Sequence, residues 1–158
     1  MKTRHFLSLS LVAVTALLAL PFTASAGDFP KGSPAFITSY SKVLEAQKAS
    51  GKPALIVFSA SWCGPCQAMK KSVYPSDAVK PFHDKFVWAY LDTDADENKK
   101  TAEKFKVSGI PHIEFVNAAG ASIGQQIGGN SPADFTKYVR EETERWGKIV
   151  RERKLQID

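Results

Sequence analysis

The sequence predicts an α/β fold in a single domain, and three observations carry that reading. Helical and strand-like patterns alternate through residues 34–152 in the order α-β-α-β-α-β-β-α. The run Ala54-Leu55-Ile56-Val57-Phe58 is apolar without a break, which fits a strand buried on both faces. The stretch from Gly27 to Asp158 suits one sizeable core, and it holds no internal repeat or low-complexity tract that would mark a second domain.

Residues 1–26 read as a secretory leader. Lys2 and Arg4 give a positive start, Phe6 to Leu20 form an apolar stretch, Pro21 breaks it, and Ala24-Ser25-Ala26 supplies a small-residue cleavage pattern. The apolar stretch falls short of the roughly 20 residues of a spanning helix and contains Ser8, Ser10 and Thr15. We therefore expect cleavage before Gly27, no stable membrane insertion afterwards, and a domain over 27–158 that works outside the cytoplasm. The leader carries two of the 21 basic residues and no acid, so the remainder has a formal charge two below the chain's +5. That is too mild to argue for nucleic-acid binding.

Each element has its own local signal. Ser33-Pro34 is a helix-start pair, and Phe36, Ile37, Tyr40, Val43, Leu44 and Gln47 recur at helical spacing before Gly51, which predicts a helix over 34–49. Residues 27–33 leave little room for a strand ahead of it. Pro53 opens a strand over 54–59. Gln67-Ala68-Met69-Lys70-Lys71 predicts a helix to about Val73, ended by Tyr74-Pro75-Ser76-Asp77. A helical turn within 77–84 leads to a strand over 86–91.

Asp92 to Asn98 is acidic, but a calcium loop needs a glycine at its sixth position and a closing Glu at its twelfth, and both are missing. We read a loop whose acids lie at the positive end of a helix over 95–105, with Ala102, Phe105 and Val107 toward the core. Pro111 opens a strand over 112–116, where proline removes no interior ladder bond. Asn117-Ala118-Ala119-Gly120 turns into a strand over 121–127. After Gly128-Gly129-Asn130, Ser131-Pro132 starts a last helix to about 152, with Phe135, Tyr138, Val139, Trp146, Ile149 and Val150 as its apolar stripe and a solvated basic end, Arg151-Glu152-Arg153-Lys154.

The chemistry centres on Ser61-Trp62-Cys63-Gly64-Pro65-Cys66, between the first strand and the helix after it. This puts Cys63 at a helix N-terminus, where unpaired N–H groups and the macrodipole favour a thiolate. Cys66 lies one turn further in, close enough to close a short disulfide, so the pair can accept or give two electrons through a mixed disulfide. A zinc site would need two more ligands, and only His83 and His112 are at hand after the leader. Both cysteines of the chain lie in this motif, which leaves none for a structural disulfide.

The motif Trp62-Cys63-Gly64-Pro65-Cys66, set between a strand and a helix, resembles the active-site motif of the thioredoxin family. Gly109-Ile110-Pro111 is similar to the segment that carries the family's cis-proline beside the cysteines. The resemblance covers roughly residues 34–146 and implies the thioredoxin fold, a central mixed sheet flanked by helices. It implies a thiol–disulfide oxidoreductase with no cofactor beyond the Cys63–Cys66 disulfide and no metal. Cys63 would attack and Cys66 resolve, while Trp62, Gly64, Pro65, Ile110, Pro111 and Gly128 would meet the substrate.

The implied partners are protein disulfides or dithiols and an extracytoplasmic electron donor, which with the leader points to the periplasm. The Gly64-Pro65 dipeptide is that of the family's reducing member, near roughly −270 mV, rather than of oxidants near about −120 mV. An oxidase or isomerase, or a non-catalytic binding module, is the alternative. Two positions depart from the family: its buried Asp is Val57 here, and the neighbouring Lys is Tyr90. We expect Cys63 to present its sulfur to solvent and Cys66 to be shielded. By alternation His112 and Glu114 share a face. They read as a partly exposed groove residue and a solvated or hydrogen-bonded strand residue, the sharper alternative being that one replaces the missing acid.

Overall fold

A computed structural model describes residues 29–154, with side chains to Lys148; the expected leader and the side chains of Ile149, Val150 and the basic end lie outside the described residues. The elements are α1 (Tyr40–Ser50), β1 (Ala54–Ser59), α2 (Gly64–Ser72), a 3-10 segment (Lys80–Lys85), β2 (Val87–Asp92), α3 (Asp96–Lys104), β3 (His112–Val116), β4 (Ser122–Ile127) and α4 (Pro132–Lys154). The sheet order is β2-β1-β3-β4. β1 runs parallel to β2 and antiparallel to β3, and β3 is antiparallel to β4, so the sheet is mixed, as the fold reading implied.

The alternation of β1 and β3 divides the core in two. Leu55, Val57, Ile113 and Phe115 pack with Met69 and Val73 at the α2 end and with Phe135 and Val139 of α4. Ile56, Phe58, Leu91 and Val116 pack on the other face with Val43 of α1 and with Phe105. Every residue of β1 and β3 is buried, the reason β1 carries no polar residue until Ser59. Burying each large aliphatic side chain contributes about 1.5–3 kcal/mol, so these two strands form the stiff floor on which the site is built. β4, an edge strand with Gln125 and Gln126, stays half exposed.

The first helix departs from expectation. It starts at Tyr40, not at 34. The preceding segment is extended and lies along the open edge of β2, with Ile37 N–H donating to Trp88 O (2.9 Å) and Tyr90 N–H to Ile37 O (2.9 Å). Phe36 packs into the α2-side cluster and Ile37 into the opposite one, an arrangement only extended backbone allows for adjacent residues. Satisfying the edge of β2 and burying both side chains outweighs the Ser-Pro start signal. The short first strand is therefore a bridge at Ile37 to Ala89.

The other boundaries follow local chemistry. α1 ends on Gly51, whose positive φ of 69° lets its N–H return to Gln47 O at 2.8 Å. α4 begins where expected, with Ser131 Oγ accepting from Asp134 N–H at 3.2 Å and Pro132 in the first turn. Among the described residues no helix is long and apolar enough to cross a membrane.

Candidate active site

β1 delivers the chain to the motif and α2 leaves from it. Cys63 is the N-cap of α2, and its Sγ accepts from the Cys66 backbone N–H at 3.3 Å. The two cysteines are joined as a disulfide with Cα atoms 5.2 Å apart. A cysteine in this position has the cap's acceptor role and the positive end of the helix beside its sulfur, both of which favour the thiolate once the bond is reduced. The turn is held from below: Cys63 N–H donates to Ala60 O (3.2 Å), and Gln67 N–H donates to Cys63 O (3.0 Å).

Cys63 is less open than the sequence reading expects. In the disulfide form it is 5% exposed against 1% for Cys66. The pair packs with Ala60 and against Ile110. Both residues are buried in this bonded form, Cys63 slightly less so.

Around the pair stand the other residues singled out by sequence. The Ile110–Pro111 bond is cis. Pro111 O accepts from Gly128 N–H at 2.8 Å, which ties the end of β4 to the proline. Gly128 has φ 101°, a conformation that disfavours side chains, and a Cβ on Gly129 would stand 3.3 Å from Pro65. The Gly128-Gly129 loop thus closes against both Pro111 and the motif. Gly64 and Pro65 are exposed at the start of α2, with open space where a Gly64 side chain would go. Trp62 is 70% exposed, and its indole N–H donates to Asp94 Oδ2 at 2.8 Å. Ile127 adds a second exposed apolar side chain next to Gly128.

Asp94 was not singled out by sequence, where the acidic run reads only as a helix start. Its carboxylate instead holds Trp62, while α3 begins at Asp96 with Ala95 as N-cap and no side-chain cap. Ser59 and Gln67 escaped notice, and Tyr90 was marked only as the residue where the family has a Lys. Behind the motif, where Val57 is fully buried, Ser59 Oγ and Tyr90 OH are 2.5 Å apart, and Gln67 Nε2 donates to Ala60 O at 2.9 Å. Burial holds the Tyr90 phenol above its ordinary range, while hydrogen bonding with Ser59 and Gln67 draws it partly back. The one polar residue ending an otherwise apolar strand was the signal available for Ser59.

His112 overturns its expected partial exposure, while Glu114 takes the hydrogen-bonded of its two expected states. Both are fully buried, His112 Nε2 lies 2.8 Å from Glu114 Oε2, and the Ser122 hydroxyl donates to Glu114 Oε1. They share a face, as alternation requires, but it is the face of their partners Phe58 and Ile56. Val57 and α2 are on the other side of the sheet. Neither residue takes the place of the missing acid. His83, the other histidine weighed for zinc, is hydrogen-bonded to Tyr74 O at 3.2 Å. Among the described residues no three His, Cys, Asp or Glu gather as a metal site.

Comparison with known proteins agrees with this geometry. The thioredoxin family model matches residues 37–141. The chain is similar to the chloroplastic thioredoxin-like protein HCF164 of Arabidopsis thaliana, 30% identical over 73% of this chain and 44% of that protein. It is also similar to protein disulfide-isomerase erp38 of Neurospora crassa, 32% identical over 57% of this chain and 24% of that protein. The chain thus spans less than half the length of these curated relatives. Among solved structures, a thioredoxin from Thermus thermophilus superposes with a TM-score of 0.59 at 29% identity, covering 66% of this chain and 83% of that one. A DsbH oxidoreductase superposes with a TM-score of 0.59 at 23% identity, covering 73% and 89%, which speaks for the fold.

Proposed function

The chain belongs to the thioredoxin family and carries a bonded cysteine pair at the start of α2, and from this we propose that it is a protein-disulfide reductase of the periplasm. The observation that carries the reading is Cys63 as N-cap of α2, with its sulfur receiving the Cys66 N–H. In the reduced protein the Cys63 thiolate attacks one sulfur of a substrate disulfide. A Cys63–substrate S–S bond forms, the substrate bond breaks, and the displaced sulfur takes a proton from solvent. Cys66 then gives up its proton and attacks Cys63 Sγ, releasing the second substrate sulfur as a thiol and leaving the Cys63–Cys66 disulfide. Two electrons pass to the substrate, and an extracytoplasmic dithiol must return them.

The leader pattern of residues 1–26 supports the periplasmic assignment, and Gly64-Pro65 supports reduction as the direction. Trp62, Ile110, Pro111 and Gly128 offer the surface on which a substrate backbone would lie. Insulin reduction driven by dithiothreitol tests the reading on the chain from Gly27 onward. Turnover lost in Cys63→Ser supports it, and turnover that survives that substitution removes it. Cys66→Ser should accumulate mixed disulfides with its clients, because nothing is left to resolve them.

A further inference from the structure

Beneath the motif, on the face of the sheet that α2 covers, lies a polar cluster built from three elements. Ser59 ends β1, Tyr90 stands beside Val57 on β2, and Gln67 follows Cys66 on α2. The Ser59 and Tyr90 hydroxyls are 2.5 Å apart, the Gln67 amide donates to Ala60 O at 2.9 Å, and the same amide lies close enough to the Tyr90 phenol to favour its ionised form. Ala60 O is the node, since it also accepts the Cys63 N–H at 3.2 Å. The cluster is roofed by Phe29, whose ring centroid is 5.1 Å from that of Tyr90. Lys70 Nζ stands 4.5 Å over Phe29 and 5.8 Å from Tyr90, and Asp92 at the end of β2 is the charged group on the other side. All three members are neutral, which suits a place where a lone ion would be costly.

We propose that Tyr90, Ser59 and Gln67 are positioning residues that fix the Ala60–Cys63 turn, and so hold the Cys63 sulfur against the start of α2 in the reduced protein. This rests on the reductase reading for its use in catalysis. A polar cluster held at both ends restricts the turn more than its single hydrogen bonds would, because each group limits the freedom of its neighbour. Ser59 fixes the Tyr90 hydroxyl, the Tyr90 phenol stands beside the Gln67 amide, and the amide holds the carbonyl to which Cys63 is also tied. With the turn held, the Cys66 N–H and the helix end stay within reach of the thiolate. With it released, that stabilisation weakens and the thiol titrates higher.

The test is the rate of Cys63 alkylation by iodoacetamide against pH on the reduced protein, with the modified residue identified by peptide mapping. It needs no protein substrate, so a wild type inactive on insulin would sink the reductase reading without touching this measurement. Gln67→Ala keeps a good helix former at a half-exposed position and should fold; it should raise the Cys63 titration by about half a unit or more. Tyr90→Phe should raise it as well, and its effect should shrink when Gln67 is already Ala, since the two act through one carbonyl. A Gln67→Ala protein that titrates at or below wild type overturns the proposal. So does a Tyr90→Phe effect of equal size with and without Gln67.

Discussion

His112 Nε2 and Glu114 Oε2 meet at 2.8 Å inside the protein, on the face of the sheet turned away from the redox helix. The pair is completed by the Ser122 hydroxyl, while His112 Nδ1 finds no partner among the described residues. Removing one member of such a pair leaves the other buried alone, so Glu114→Ala should cost about 3–5 kcal/mol in urea unfolding. The pH profile of disulfide reduction in Glu114→Gln should match wild type, because the carboxylate is not behind the cysteines. A loss under about 1 kcal/mol for Glu114→Ala would show that the pair is not sealed as described.

Asp94 ties Trp62 to the loop before α3 through one exposed hydrogen bond of 2.8 Å. Releasing the indole should change how a substrate is held rather than how sulfur reacts. Asp94→Ala should therefore raise KM for a protein disulfide about two- to five-fold, the equivalent of about 0.5–1 kcal/mol, with kcat nearly unchanged. Steady-state insulin reduction over a range of insulin concentrations measures the split. An effect confined to kcat would place Asp94 in the chemical step instead.

The residues that make the site differ in how openly the sequence displays them. Cys63, Cys66 and Pro111 are legible because their chemistry is local: a strand, a turn and a helix start fix the first two, and a proline at the mouth of a strand fixes the third. β1 and β3 are legible through their apolar runs, although Glu114 inside β3 hides its partner, since a same-face pair with His112 looks no different from a solvated acid in one dimension. Phe36 and Ile37 misled because helical spacing and alternate burial coincide over two residues, and the edge of β2 decides between them only in three dimensions. The joint placement of Ser59, Gln67 and Tyr90 was missed for the same reason. Each is ordinary alone, and only the parallel pairing of β1 with β2 brings them together under α2.

His83 gives the fold a dependence on mild acid. Burial lowers its pKa, opposed by the Tyr74 carbonyl and Asp84. The folded protein therefore binds this proton less readily than the unfolded chain, whose histidine titrates near about 6.5. Stability from this group is full above that value and falls as pH drops through it toward the lower folded value. The urea midpoint should decline between about pH 7 and pH 5, and His83→Gln should flatten the decline. A decline unchanged by the substitution would assign it to other groups.

The last prediction concerns the residue at 57. Val57 is fully buried in the cluster between the sheet, α2 and α4, with Tyr90 paired beside it on β2 and Ile113 on β3. The Tyr90 and Ser59 hydroxyls already satisfy each other, so a carboxyl placed there meets mainly apolar groups. Val57→Asp should fold with a loss of about 1–3 kcal/mol where the acid is protonated, the cost of a buried polar group poorly paired. Its folded pKa should be raised by burial above the ordinary value near about 3.9. The sign follows: stability is highest below that ordinary value and is lost as pH rises through the raised one, the reverse of a salt-bridged aspartate. The reduction profile should also gain a second titration, because a charge behind the motif disfavours the Cys66 thiolate. Urea unfolding from about pH 4 to pH 8 reads the first effect, and insulin reduction over the same range reads the second. A Val57→Asp protein as stable as wild type throughout would mean that water reaches this site, and that the cluster beneath the motif is not the dry, neutral floor its packing describes.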